Sequence, residues 1–153
     1  MTSVFETHRE KVLGYYTTAS WLRRLVLAMW NGNDYQVGLS RLATIDNEHF
    51  AAALAMIQAY RQNGERDEAF LSLAVECRQR VDAEKAAADR DDRLTRWCHS
   101  AQRAVTESGG RTGYVDDHYS WFESQFDLGV KPQAAATKAL QSNLDAAAAD
   151  VHS

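Results

Sequence analysis

The chain has 153 residues, 45% of them apolar and 25% charged, which is an ordinary globular composition and enough to bury a core without disulfides or a metal. A net charge of −4 spread along the chain excludes a polycation and a strong mimic of nucleic-acid charge. A single Pro, few Gly and many Ala, Leu, Arg, Glu and Gln favour helix, and no stretch alternates apolar and polar residues as a strand does. The expected fold is therefore all-α: a compact helical bundle in a single domain, 1–153, with Gly109-Gly110 as the place where a body (1–108) and a C-terminal helical hairpin (111–153) would divide.

A helix is expected to open at Ser3, where Ser3 and Glu6 form a capping-box pattern, with Val12, Leu13 and Tyr16 continuing one face and Gly14 marking a bend or a close contact. Between Ala19 and Trp30 the residues Trp21, Leu22, Leu25, Val26, Leu27, Met29 and Trp30 are apolar around most of the circumference, the mark of a central helix. Asn31-Gly32-Asn33-Asp34 ends it. Val37 to Ile45 reads as a short helix, after which Asp46 or Asn47 caps a longer one carrying Phe50, Leu54, Ile57 and Tyr60 on one stripe. Asn63-Gly64 stops that helix, and Asp67 caps the next, whose inward face is Phe70, Ala74, Cys77 and Val81.

Residues Asp82 to Arg93 are charged and Ala-rich but contain no helix breaker, and Leu94, Trp97, Cys98, Ala101 and Val105 then resume the apolar stripe. Either one long helix spans about 67–107 or a helix pair turns near Asp89–Asp92. An unbroken helix would reach roughly 60 Å, long enough for its polar middle to project or to meet a partner. Ser108-Gly109-Gly110 is the firmest break. Beyond it come an aromatic-rich short helix ending at Gly129 and a last helix opened by Pro132, in which Leu140, Leu144, Ala147 and Val151 share heptad spacing.

Specific chemistries find little support. His8, His49, His99, His118 and His152 are dispersed, without HExxH, CxxC or Glu-x-x-His pairs, so neither a metal nor a cofactor is expected. Cys77 and Cys98 lie on apolar stripes, where a thiol is protonated and inert, and no catalytic residue is assigned. Gly109 to Gly113 has residue types suited to an anion nest but follows no strand, so it reads as a turn. Arg93, Arg96 and Arg103 share part of one helix surface and Arg23-Arg24 lie beside Trp21, but acidic neighbours dilute both sets, and each reads as a solvated helix face. The N-terminus lacks the pattern of a signal peptide and no apolar run could span a bilayer, so a cytoplasmic protein without membrane contact is expected.

The densest unusual segment runs from Tyr114 to Glu123, where aromatic and other large groups alternate with acids. It is expected to hold a protein-binding surface formed by Tyr114, Asp116, Asp117, Tyr119 and Trp121, with Val115, Phe122 and Phe126 turned inward. Self-association through the long helix or the C-terminal helix is a second expectation.

Leu27-Ala28-Met29-Trp30-Asn31-Gly32, followed by Leu39, Leu42 and Ile45-Asp46, resembles an element of short uncharacterised helical proteins carried by proteobacterial plasmids and integrative elements. The resemblance covers about residues 20–62 and brings no catalytic residues with it. It implies a mobile-element origin, in which small helical proteins act as regulators or inhibitors of host defence, anti-CRISPR factors among them. The reading is a non-enzymatic helical protein-binding module of that kind, with a nucleic-acid-associated regulator using Arg93, Arg96 and Arg103 as the alternative.

Overall fold

Asp67 explains how the first helices and the longest one are joined. Its Oδ1 accepts hydrogen bonds from the backbone N–H groups of Ala69 (3.0 Å) and Phe70 (3.3 Å), capping the helix that follows. Its Oδ2 accepts a hydrogen bond from the Ser3 hydroxyl at 2.8 Å, while Ser3 Oγ in turn accepts from Phe5 N. The expected exchange between Ser3 and Glu6 is thus replaced by one between two helix starts 64 residues apart in sequence.

The computed structural model describes residues 2–149, and every regular element among them is helical. In chain order they are α1 (Val4–Thr7), α2 (Arg9–Leu13), α3 (Thr17–Trp30), a 3₁₀ turn (Leu39–Ala43), α4 (Asn47–Asn63), a second 3₁₀ turn (Gly64–Arg66), α5 (Glu68–Glu107), α6 (Tyr114–Asp117), α7 (Tyr119–Asp127), α8 (Pro132–Ser142) and α9 (Leu144–Ala149). Val151 and His152, named above, lie outside the described residues. The charged run Asp82 to Arg93 continues as helix, so α5 is one element of 40 residues rather than a pair. The chain resolves into two compact units, Met1–Glu84 and Lys85–Ser153, each with its own core.

In the first unit, α3 is the central helix that its sequence implies: Trp21, Leu22, Leu25, Val26 and Leu27 are all buried, together with Phe5, Val12, Met56, Phe70, Leu73 and Cys77. One buried residue of α3 is charged. Arg23 is 3% exposed; its Nη1 donates to the carbonyls of Val12 (3.1 Å) and Gly14 (2.7 Å), and its Nη2 donates to Glu84 Oε1 (2.9 Å). Arg80 supports the same connection, donating to the Leu13 carbonyl at 2.7 Å and to the Tyr15 hydroxyl. These two arginines satisfy carbonyls that the short α2 and its non-helical exit leave without helical partners. The exposed-helix reading of Arg23 is therefore corrected: Arg24 faces solvent, and Arg23 is part of the core.

The second unit packs α8 onto α5 and α7 through small side chains. Ala101 and Val105 of α5, Tyr114, Val115 and Phe122, and Ala135, Ala136 and Ala139 of α8 are all buried. Trp97 lies edge-on to Phe122 and Phe126, and its indole N–H donates to the Val130 carbonyl at 2.9 Å. Gly110, whose N–H returns to the Val105 carbonyl at 2.9 Å, passes so close to that valine that a Cβ would collide with its side chain. The turn at Ser108-Gly109-Gly110 thereby fixes where α5 stops.

The aromatic segment is not a single helix. Backbone angles of φ −116° and ψ 29° at His118 divide it into α6 and α7. That break resets the helical phase, which is why Tyr114 ends up buried instead of exposed: it is 3% exposed, and its hydroxyl donates to the Ala139 carbonyl at 3.3 Å. Trp121 is half-buried, its ring 5.0 Å from that of Phe122 and 5.9 Å from Lys138 Nζ. Val115 and Phe122 are buried, as their spacing implied, and Phe126 is half-buried against Trp97.

Two stability measurements follow. Arg23→Ala strands the Val12 and Gly14 carbonyls, and a loss of about 3 kcal/mol is expected in urea unfolding; a loss below about 1 kcal/mol would show that the guanidinium is dispensable. Phe122→Ala should cost about 3–5 kcal/mol, whereas Trp121→Ala, cut from a half-buried position, should cost about 1–2 kcal/mol. Equal losses at the two positions would contradict the packing described.

Candidate functional site

A stripe of large apolar residues on a helix is ordinarily its packing face. In α4 it is the opposite. Phe50, Leu54 and Ile57 are 40%, 42% and 43% exposed, while the face turned into the core consists of Ala52, Ala53, Met56 and Ala59. The small side chains let α4 lie close to α1 and α3, leaving the larger ones outside. Only Tyr60, at the end of the stripe, turns partly inward, its ring 4.9 Å from that of Phe70. The 3₁₀ turn just before α4 adds two more exposed leucines, Leu39 and Leu42.

The start of α4 is held firmly. Asp46 Oδ1 accepts from the backbone N–H groups of Glu48 and His49, both at 3.0 Å. Its Oδ2 lies 2.7 Å from His49 Nδ1, and His49 Nε2 lies 2.9 Å from the Tyr16 hydroxyl. The His49 amide, with the imidazole beside it, holds the Asp46 carboxyl below the usual carboxylate range, so it keeps its charge into acid. Lys11 pairs with Glu48 at 2.8 Å. Gly14 leaves room for the Tyr16 ring, which a side chain at that position would strike. This Asp–His–Tyr chain ties the α2–α3 connection to the first turn of α4.

In the second unit, the residues assigned from sequence to a binding surface separate. Asp116 and Tyr119 line one wall of an open groove of about 360 Å³, facing Asp91, Cys98 and His99 of α5. Tyr119 is 44% exposed there. Asp117 points elsewhere and pairs with Arg111, which also reaches Asp145 at 3.3 Å. Tyr114 belongs to the core and Trp121 to its edge, so of the five residues the groove gathers two.

The groove brings together two carboxylates, an imidazole and a thiol. Burial pushes the Cys98 thiol above its usual range, and Cys77, in the core of the first unit, is pushed up to about 12. Both thiols are therefore protonated near neutrality and poor nucleophiles. Among the described residues, no group of three or more His, Cys, Asp or Glu side chains is placed to hold a metal ion. Arg93, Arg96 and Arg103 are exposed on α5, alongside the equally exposed Asp89, Asp91 and Asp92. Arg90 pairs instead with Asp127 at 2.8 Å and Glu123 at 3.2 Å. No helix among the described residues is long and apolar enough to cross a membrane.

The sequence shows the α4 stripe but not its direction. The signal lay in the second set, Ala52, Ala53, Met56 and Ala59, which has the same helical spacing and is smaller. Residues 12–85, a little under half of the chain, match the model of a family of unknown function (DUF7673). That segment begins at the carbonyls clamped by Arg23, ends just after Glu84, and contains both α4 and the stretch 20–62 whose resemblance was noted from sequence. No curated protein matches the chain, and no solved structure matches it.

Proposed function

We propose that this chain is a protein-binding module whose docking face is the outer side of α4. The observation that carries the reading is the exposure of Phe50, Leu54 and Ile57 at i, i+4 and i+7 on a helix already packed through its alanines. Apolar anchors at this spacing are what a helix presents to a groove or to another helix. A contiguous patch of this kind on the surface of a folded unit marks an interaction site more often than an isolated exposed leucine does. The groove holding Asp116 and Tyr119 is a second, more polar surface, suited to a basic segment of a partner. The resemblance to mobile-element proteins adds the direction such binding would take, regulation or inhibition of another protein by occupying its surface.

The test is affinity capture from a bacterial lysate with the wild-type chain and with Leu54→Glu. Leu54 is exposed, so the substitution should change stability by less than about 1 kcal/mol. Partner capture should fall at least tenfold. Identical capture by both forms removes α4 as the docking face. Salt-sensitive retention of nucleic acid in place of protein would instead favour the exposed arginines of α5.

A further inference from the structure

The outer face of α4 has a property beyond being apolar: it is complementary to itself. Phe50, Leu54 and Ile57 form its middle, and helical spacing puts Asp46 at one end of the stripe and Arg61 at the other. Asp46 is at the N-cap with its side chain 58% exposed, and Arg61 is exposed in the last turn. The acid therefore stands at the start of the stripe and the base at its end.

We infer that a second copy of this chain docks on this face, with the two α4 helices antiparallel about a two-fold axis between Ala53 and Leu54. This rests on the reading of α4 as a binding face and names its occupant. About that axis Phe50 falls opposite Ile57 of the second copy, Leu54 meets Leu54, and Asp46 falls opposite Arg61. Each contact is made twice, as an isologous interface requires. A parallel pairing would set Arg61 against Arg61 and Asp46 against Asp46, and would align the helix dipoles unfavourably. Asp46 holds its charge because the His49 amide and imidazole bind its carboxylate, while Lys11 and Glu48 pair beside it.

The small apolar area limits the strength. A standard stable interface takes about 800 Å² from each partner, which three side chains each about two-fifths exposed do not supply, even with Leu39 and Leu42 beside them. The association expected is weak, with a Kd on the order of 10–100 µM.

Sedimentation of the full chain from about 1 to 500 µM tests this. A concentration-dependent monomer–dimer shift is expected, lost in Leu54→Glu and weakened several-fold in Arg61→Glu. Geometry is tested by two cysteine variants in a Cys98→Ser background at the high end of that range under mild oxidation. Leu54→Cys, beside the axis, should form an intermolecular disulfide; Arg61→Cys, far from its own copy, should not. Cross-linking at both positions would mean a parallel pair and overturn the arrangement. A chain that stays monomeric throughout, with no cross-link at Leu54, overturns self-association. In that case loss of partner capture by Leu54→Glu would still uphold the binding face with a different protein on it, and unchanged capture would remove both readings.

Discussion

A guanidinium buried among aliphatic side chains needs a partner for nearly every donor, and in this protein that requirement organises the first unit. Arg23 gathers the carbonyls of Val12 and Gly14 and the carboxylate of Glu84, drawing the α2–α3 connection and the middle of α5 onto one side chain. Arg80 repeats the arrangement one turn earlier on α5, reaching the Leu13 carbonyl and lying 3.7 Å over the Tyr15 ring. The Nε atoms of both arginines are buried without a hydrogen-bond partner among the described residues. The remaining donors must therefore hold the geometry, and breaking the Arg23 cluster would leave buried acceptors as well as a buried charge.

This clamp gives the charged part of α5 a structural purpose. Glu84 lies beyond the last large apolar residue of the helix's first stripe, where sequence periodicity has faded, yet it must be delivered to Arg23 at 2.9 Å. A chain that left the helix at Asp82 would not deliver it. The match to residues 12–85 starts with the first clamped carbonyl and stops one residue after the carboxylate, so the matched segment contains every member of the Arg23 cluster.

Alanine does the second structural job. In α4 and α8 the buried faces are made largely of Ala, which allows close helix approach at little cost in side-chain entropy. In α8 this docks a helix whose sequence offers little apolar bulk. In α4 it has a chemical consequence, because the bulky residues are left over for the surface. The exposed stripe of Phe50, Leu54 and Ile57 and the small side chains buried beneath it thus share one cause. In the second unit the same economy sets Tyr114 against Ala139 and leaves Asp116 and Tyr119 to line the groove.

By itself the sequence determined the helical class, the stops at Asn31–Asp34, Asn63-Gly64 and Ser108–Gly110, the cap at Asp67, the start of α4 to within Asp46 or Asn47, and the inward faces of α3 and α5. Each depends on neighbours within a turn or two, where periodicity, capping and left-handed Gly act locally. Tertiary structure decided the rest. Whether α4 buries Met56 and its alanines or Phe50, Leu54 and Ile57 depends on which face fits α1 and α3, and both sets have the same period. Whether Arg23 is solvated or buried depends on an acid 61 residues away. The side to which Tyr114 turns depends on the break at His118, whose imidazole bonds to Asp145 at 2.8 Å. Contacts between residues so far apart in sequence leave no periodic trace in it, because they are fixed by shape and charge only once the helices have met.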